Sequence, residues 1–493
     1  MRFLDRYVVR ISWWSLKKIY RIIIIISMGA LFIGIIAFTL YMRSLPQLST
    51  WHTTLLEHEF TSHSNVKNIQ AYMNLETKLF DELKTEVYDK TLHTEQNRLN
   101  RYTNESISNP SLWKPNWNKS FEMKVKNPKG AVLLLHGMSD SPYSLHTQAE
   151  YLHKNGFWVL GLRMPGHGTI PSGLRNMKWQ DMAAVVELGM KHLDEKVGTK
   201  PIHIMGYSTG APLALNYTLK ALKEKSLLRV PNSLVFYSPA IGVSAAAPLA
   251  VWQSRVGYIL GLPKLEWNAI VPEYDPFKYG SFAVNAGDQV YRLAKKVQKQ
   301  FDYLEKHPSK KPFPTVLSFS SIVDSTVSVP AVIDNLFNRL PKAGKNKHTL
   351  LLFDINHHFD RNNIVKASVS ENLQHLRNTP IKENYTFELI SNINTLDTDV
   401  QRISKRNKVE YLPYQWSKSL YSLSHLAMPI SPNDPLYGNE NAPTSPGIQL
   451  GHLAIYGETG ILQISSSSLL RQRWNPFHGY TKQRVLTFLD EMY

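Results

Sequence analysis

The chain has 493 residues, of which 43% are hydrophobic, so it can bury a large core and exceeds a single average domain. It carries 56 Lys and Arg against 39 Asp and Glu, a net charge of +17, and it contains no cysteine, which excludes disulfides, thiol catalysis and thiolate metal sites. A basic surface favours anionic membranes, acidic substrates or nucleic acid. Because the sequence carries no nucleic-acid-binding motif, a lipid-facing surface is the favoured interpretation, and a diffusely basic solvated surface is the alternative.

The first predicted element is a membrane span. Ile22–Met42 is uncharged and is bounded by Arg21 and Arg43. About 20 apolar residues cross a bilayer core as a helix. Six basic residues precede the stretch and few follow it closely, so the positive-inside bias predicts residues 1–21 in the cytoplasm and an exported remainder, periplasmic if the organism is bacterial. A cleaved signal peptide is the alternative, but the stretch is long for one and no Ala-x-Ala-like site follows. An uncleaved signal anchor is therefore predicted.

Residues 43–119 are predicted to form a polar neck followed by an amphipathic helix. Apolar residues recur there at helical spacing, with charged residues between them. The apolar positions are Val66, Ile69, Met73, Phe80, Leu83 and Val87. Such a stripe indicates a helix that packs on the main domain.

Strands and helices alternate from about residue 120, which predicts a mostly parallel α/β sheet. Strands are predicted at Phe121–Val125, Ala131–Leu135, Trp158–Leu162, Ile202–Met205, Leu234–Tyr237 and Val316–Phe319. Helices are predicted at Ser144–Lys154, Trp179–Glu195 and Ala211–Lys223.

The alternation is interrupted at residues 240–312, which are rich in alanine and aromatic residues and then helical at Val290–Leu304. This stretch is predicted to be a cap inserted into a domain that spans residues 120–493. Within it, the run from Ala245 to Trp252 offers an apolar wall or ordinary helix packing. Later apolar runs at Leu350–Phe353, Phe387–Ile390 and Leu420–Leu426 precede a closing helix at Gln483–Met492.

The stretch Gly206–Gly210 (Gly-Tyr-Ser-Thr-Gly) carries the most specific chemistry. It follows an apolar run and precedes a helix-like one, which is the strand–turn–helix context of a nucleophile elbow. The turn strains its central residue, and glycines flank the serine because a Cβ at either position would clash. Ser208 is therefore the candidate nucleophile.

Three motifs together resemble those of the α/β-hydrolase superfamily. They are His136-Gly-Met-Ser-Asp-Ser-Pro142, Leu162-Arg-Met-Pro-Gly-His-Gly-Thr169 and Gly206–Gly210. They are most similar to the monoacylglycerol lipases, carboxylesterases and related serine hydrolases, over roughly residues 120–360. The resemblance implies an α/β-hydrolase fold with a cap and a triad in the chain order serine, acid, histidine. No cofactor is predicted.

The resemblance also implies roles for individual residues. The amides of Met138 and Thr209 would form the oxyanion hole, because one donor follows the nucleophile and the other lies in a loop after an early strand. His136 would brace that loop. Asp324, after a late strand, would be the triad acid; a turn or helix-capping aspartate is the alternative.

The triad histidine is open between two places in the chain. His357 and His358 follow an apolar run, about where a compact member of the family would have its base. His425 lies in Ser-Leu-Ser-His-Leu, predicted to be at a strand's end, and the small residue before it resembles many esterase histidine loops. His425 is favoured, although it requires an excursion of some 60 residues between the family's last strands.

These residues predict a membrane-anchored serine hydrolase of carboxylic esters with a lipid-like small-molecule substrate. An acyltransferase or small-amide hydrolase with the same triad is one alternative. A non-catalytic membrane-tethered binding protein on a hydrolase fold is the other. The 18 histidines contain no His-Glu-x-x-His pattern, so no metal site is predicted.

Overall fold

The computed structural model of the chain describes residues 2–242, 261–342, 347–358, 384–404, 408–451 and 470–491. These residues fall into two compact units, Met1–Leu48 and Ser49–Tyr493. The predicted division at 119/120 lies inside the second unit, and the domain assignment stays a prediction.

The first unit consists mainly of one long helix, α1 (Arg2–Ser44). Its segment Leu16–Ser44 is long and apolar enough to cross a membrane, and its apolar side chains are exposed. The predicted span Ile22–Met42 lies within this segment. A helix of this length and composition fits a membrane anchor and fits a signal sequence equally well.

The second unit contains helices and strands in alternation. Its described helices are α2 (Thr50–Thr53), α3 (Ile69–Leu83), α4 (His146–Lys154), α5 (Gly173–Asn176), α6 (Trp179–Val197), α7 (Gly210–Ala221), α8 (Val284–Lys306), α9 (Val329–Asn335) and α10 (His478–Asp490). Its described strands are β1 (Phe121–Met123), β2 (Gly130–Leu135), β3 (Phe157–Leu162), β4 (Ile202–Tyr207), β5 (Ser233–Tyr237), β6 (Trp267–Ala269), β7 (Phe282–Ala283), β8 (Thr315–Ser321), β9 (His348–Phe353), β10 (Tyr385–Asn392), β11 (Asp399–Ser404) and β12 (Lys408–Gln415).

In the described residues, ten of these strands form one sheet in the order β1-β3-β2-β4-β5-β8-β9-β10-β11-β12. The strands from β3 to β10 in that order run parallel, whereas β1, β11 and β12 pair antiparallel with their neighbours. In this order β3 lies on one side of β2 and β4 lies on its other side, so the direction in which the chain adds strands reverses at β2. In parallel sheets such a reversal opens a crevice at the carboxyl ends of the strands. The loops that follow β2 and β4 therefore leave the sheet beside this crevice.

The predicted mostly parallel α/β sheet is confirmed. Strands β2, β4, β5, β8 and β9 are buried along their whole length, because helices cover both faces of the sheet. Helix α7 follows β4 and is buried on nearly all sides. The residues that follow Ser208 therefore begin a helix that packs inside the core.

The amphipathic helix predicted in residues 43–119 is α3, and its buried face includes a charge. Met73 and Phe80 are only half-buried, whereas Tyr72, Leu79 and Glu76 are buried. Glu76 accepts a hydrogen bond from Arg163 at 2.8 Å, and Arg163 also bonds to Glu59 at 2.9 Å. A buried arginine is stable when carboxylates pair with it in this way. Helix α3 is thus fixed to the loop that follows β3.

The C-terminal part differs from the sequence prediction. The apolar run Leu420–Leu426, expected to be a strand, consists of turns and irregular chain. Its leucines at 420 and 423 are buried in the main core, so their apolar character reflects burial and not strand backbone. The strands β11 and β12 were not predicted, because the side chains of β11 are mostly half-buried and those of β12 mostly exposed, which gives no clear apolar alternation.

Candidate active site

Ser208 occupies a sharp turn between β4 and α7. Its backbone φ is +51°, a left-handed conformation that residues other than glycine adopt at a cost. A Cβ on Gly206 would lie 2.6 Å from the Ala211 nitrogen, and one on Gly210 would lie 2.1 Å from the Leu135 oxygen. Only glycine fits at these two positions, which is the physical reason for the Gly-x-Ser-x-Gly spacing. The strained turn presents the Ser208 hydroxyl to a cavity.

Asp324 lies three residues beyond the end of β8 and is held by two backbone amides. Thr326 and Val327 donate to its Oδ1 at 2.8 and 2.9 Å. Its Oδ2 lies 2.9 Å from Nδ1 of His425, and both side chains are almost fully buried. Burial alone would raise the pKa of Asp324, but the adjacent His425 and the two amides lower it below its ordinary value. Asp324 is therefore a carboxylate that can orient the ring of His425.

His425 and Ser208 line the same cavity, which has a volume of about 300 Å³. Because Nδ1 of His425 bonds to Asp324, the other ring nitrogen, Nε2, is left to act on a substrate or on the serine. In the part of the chain that the structure describes, no hydrogen bond joins Ser208 to His425. Catalytic hydrogen bonds of this kind often tighten only when substrate binds.

The predicted oxyanion residues, Met138 and Thr209, line this cavity too. They leave the sheet from β2 and β4, on either side of the reversal in strand order. Gly137 allows the first loop to approach, because a Cβ there would lie 3.1 Å from Cβ of Ser208. Among the described residues, neither the Met138 amide nor the Thr209 amide donates to an acceptor. Both N–H groups are therefore available to an oxyanion.

Two buried histidines stabilise the loops around the cavity. His136 donates from Nδ1 to the Gly137 carbonyl at 2.8 Å and accepts from the Met164 amide at Nε2 at 2.9 Å. Burial lowers the pKa of His136 well below its ordinary value and that of His167 to about 4. Both rings are neutral near pH 7, as the bracing role expected of His136 requires.

The other candidate base, His357, forms a second pair with an aspartate. Its Nε2 lies 2.9 Å from Oδ2 of Asp354, which also accepts a hydrogen bond from Ser391 at 2.7 Å. Neither His357 nor His358 lines the cavity that contains Ser208. The structure thus brings Asp324 and His425 to Ser208. The described residues between His358 and His425 include the strands β10, β11 and β12.

One wall of the cavity is apolar and includes part of the predicted cap. Phe282, Gly287 and Val290 contribute from β7 and α8, and Leu426 contributes from the loop of His425. Residues 243–260, with the predicted apolar wall Ala245–Trp252, lie outside the described residues. The cap assignment for residues 240–312 stays a prediction.

A second group of lining residues is polar and forms what we call the polar wall, most of which the sequence analysis missed. Lys278 donates to Asp140 at 2.7 Å, and Arg471 donates to the Thr326 hydroxyl at 3.1 Å. A smaller cavity of about 20 Å³ adjoins this wall and is lined by Tyr437 and Arg473, among others. Asp140 belongs to the His-Gly-Met-Ser-Asp motif, whereas Lys278 and Arg471 are isolated residues in irregular segments and give no sequence signal. In the described ranges, no cluster of three potential metal ligands occurs.

Comparison with known proteins agrees with this architecture. Residues 126–350 match the family model described as serine aminopeptidase, S33 (Hydrolase_4). A thermostable monoacylglycerol lipase from Bacillus sp. (strain H-257) is 34% identical over 91 residues, 18% of this chain. That alignment spans 36% of the length of the lipase.

Solved structures of similar proteins include a metagenome-derived lipolytic enzyme, at 18% identity, a TM-score of 0.37 and coverage of 53% of this chain and 98% of that one. The Paleococcus ferrophilus monoacylglycerol lipase has 20% identity and a TM-score of 0.35, and the match covers 48% of this chain and 89% of that one. A soluble variant of the Saccharomyces cerevisiae monoglyceride lipase has 16% identity and a TM-score of 0.38, and the match covers 48% of this chain and 82% of that one. The strand order, the elbow and the family match give this protein an α/β-hydrolase fold, and its sequence resembles monoacylglycerol lipase.

Proposed function

We propose that the protein is a membrane-anchored serine hydrolase that cleaves carboxylic esters with an apolar acyl chain. The observation that carries this proposal is the bond of 2.9 Å between Asp324 and His425 beside the strained Ser208, in one cavity with two available amides. An ester hydrolase needs a nucleophile, a base, an orienting carboxylate and oxyanion donors. The lipase named among its relatives supports the same class of substrate.

Each residue has one role in the proposed reaction. Nε2 of His425 takes the proton from Ser208 as Oγ attacks the ester carbonyl, and the amides of Met138 and Thr209 bind the resulting oxyanion. The proton then passes to the leaving alkoxide, which departs as the alcohol and leaves an acyl-serine. Water attacks the acyl-serine with His425 again as the base, which releases the carboxylic acid and restores Ser208. Asp324 holds the ring so that Nε2 faces the cavity and stabilises the imidazolium.

The apolar wall fits the acyl part of the substrate. Phe282, Val290 and Leu426 would contact an acyl chain whose carbonyl lies at Ser208. In this proposal α8 and the rest of residues 240–312 act as the cap that shapes acyl preference.

We propose the apolar helix as the membrane anchor. Residues 1–21 would then lie in the cytoplasm and the hydrolase unit on the other side of the membrane. The basic residues before Ile22 support this orientation. Protease added to the outside of intact cells or spheroplasts should degrade the hydrolase unit. Complete protection of that unit would contradict the orientation, and a mature chain that begins after residue 42 would identify a cleaved signal peptide.

A fluorophosphonate probe tests the catalytic proposal directly, because it labels only an activated serine. The full-length protein in neutral detergent should be labelled at Ser208, and Ser208→Ala should abolish both labelling and ester hydrolysis. A folded wild-type protein that is neither labelled nor active would favour a membrane-tethered binding protein on this fold.

A further inference from the structure

The polar wall of the active-site cavity is lined by cations that differ in their partners. Lys278 lies 2.7 Å from Asp140. Arg473, in the adjoining small cavity, lies 3.2 Å from Asp275. Arg471 lines the main cavity with Ser208 and His425. Among the described residues, no carboxylate lies within salt-bridge distance of Arg471, and its one hydrogen bond goes to the Thr326 hydroxyl at 3.1 Å.

In the part of the chain that the structure describes, Thr326 is the one hydrogen-bond partner of the Arg471 guanidinium. Arginine has five N–H donors in a planar fork, and one of them serves Thr326. Asp140, the acid that lines both cavities, already faces Lys278. Within the described ranges, an anion that enters the cavity therefore meets an arginine with no carboxylate partner, and the one acid that lines the cavity, Asp140, is already paired with Lys278.

We infer that Arg471 binds an anionic phosphate group on the alcohol part of the substrate. This inference rests on the proposed function, since it names the substrate class of the same site. Phosphate matches the fork of arginine through paired, charge-assisted hydrogen bonds. Ser208 and Arg471 line one cavity of about 300 Å³, so one substrate can present its ester carbonyl to Ser208 and its phosphate to Arg471, as an acylated glycerol phosphate would. The acyl chain then lies along Phe282 and Val290.

The test compares two esters with the same acyl chain in the full-length protein. Monooleoylglycerol is the neutral ester, and oleoyl lysophosphatidic acid is its phosphorylated counterpart. Both are presented at low mole fraction in neutral detergent at fixed ionic strength. The variants are Arg471→Gln, which removes the charge, and Arg471→Lys, which keeps the charge but loses the fork. Arg98→Gln is the control, because Arg98 is exposed and lines neither cavity.

Arg471→Gln should lower kcat/KM for the phosphorylated ester by about 10-fold or more, a loss typical of a hydrogen bond to a charged group. The kcat/KM for the neutral ester should change little. For the phosphorylated ester, the kcat/KM of Arg471→Lys should lie between those of the wild type and Arg471→Gln. Arg98→Gln should have wild-type kcat/KM values for both esters. Glycerol phosphate should inhibit hydrolysis of the neutral ester by the wild type, and it should inhibit Arg471→Gln much less.

Equal losses on both esters would overturn the inference, because they would mean that Arg471 only supports the Asp324 loop through Thr326. A wild type that hydrolyses the neutral ester and discriminates against the phosphorylated one would also overturn it, while leaving the proposed function intact. Binding provides a readout without turnover. In a Ser208→Ala background, the phosphorylated ester should bind more tightly than the neutral one, and Arg471→Gln should remove the difference even if the protein proves to be no hydrolase.

Discussion

Two aspartate–histidine pairs, each with a buried aspartate, lie at the carboxyl ends of the neighbouring strands β8 and β9, and they differ in what surrounds them. In both pairs the ring nitrogen lies 2.9 Å from a carboxylate oxygen. His425 uses Nδ1 and faces the cavity of Ser208. His357 uses Nε2, and its partner Asp354 is shared with Ser391 on β10. A close Asp–His contact therefore does not by itself distinguish a candidate base. The proposal of His425 depends on its position in the same cavity as Ser208.

The largest expected difference between the pairs is in turnover. Ser208→Ala and His425→Ala should each lower kcat by on the order of 10⁴ to 10⁶, because triad residues act as a unit. His357→Ala should leave kcat near the wild-type value, since His357 does not line the cavity. Ester hydrolysis by purified, folded variants provides the measurement. Reversed results for the two histidines would move the base to the end of β9 and refute the assignment of His425.

The two aspartates should separate catalysis from stability. Asp324→Asn should lower kcat by about 10⁴ with near-normal substrate binding, because asparagine favours the wrong tautomer of His425. Asp354→Asn should instead weaken the bonds from Ser391 and His357 and lower the free energy of unfolding by about 1–3 kcal/mol, with turnover near normal. Steady-state kinetics and urea unfolding of both variants test this. A large catalytic loss in Asp354→Asn would mean that the two pairs are coupled.

A substitution at Gly287, on the wall of the cavity that contains His425, should change the preference for acyl-chain length. Gly287 lines the cavity, and a Cβ on it would have no neighbour closer than 4.0 Å. The side chain of Gly287→Leu should therefore enter the cavity and lower kcat/KM for long-chain esters by roughly 10-fold relative to short ones. Gly287→Ala is the matched control, and it should raise the stability of α8 by about 0.5–1 kcal/mol. An unchanged chain-length profile in Gly287→Leu would refute the role of α8 in acyl preference.

The smallest expected effect concerns Ser391, which donates to Asp354 in the second pair. Ser391→Ala removes one buried hydrogen bond and should lower the free energy of unfolding by about 1 kcal/mol. Hydrolysis and fluorophosphonate labelling should remain at wild-type levels. If labelling falls, the second pair contributes to the active site and the distinction between the pairs fails.

Local sequence was sufficient for the elements with strong signals. The elbow is readable because only glycine fits next to Ala211 and Leu135, so the steric requirement is written into the sequence itself. The buried parallel strands are readable because both faces are covered, which gives continuous apolar runs. The loop 420–426 gave the same apolar signal without being a strand, because hydrophobicity reports burial and leaves the backbone conformation undetermined.

The α/β alternation and the apolar N-terminal helix could be predicted from the order of residues alone, and so could the nucleophile candidate Ser208 and the loop of Met138. The sequence left His425 and His357 open, because each follows an apolar run and nothing local records which strand ends lie beside the nucleophile. Only the tertiary structure brings Asp324 and His425 together across 101 positions of the chain, and only it sets Arg471 and Lys278 on the wall of the same cavity. Such contacts depend on sheet order and on where irregular segments pack, and no pattern in neighbouring residues encodes either.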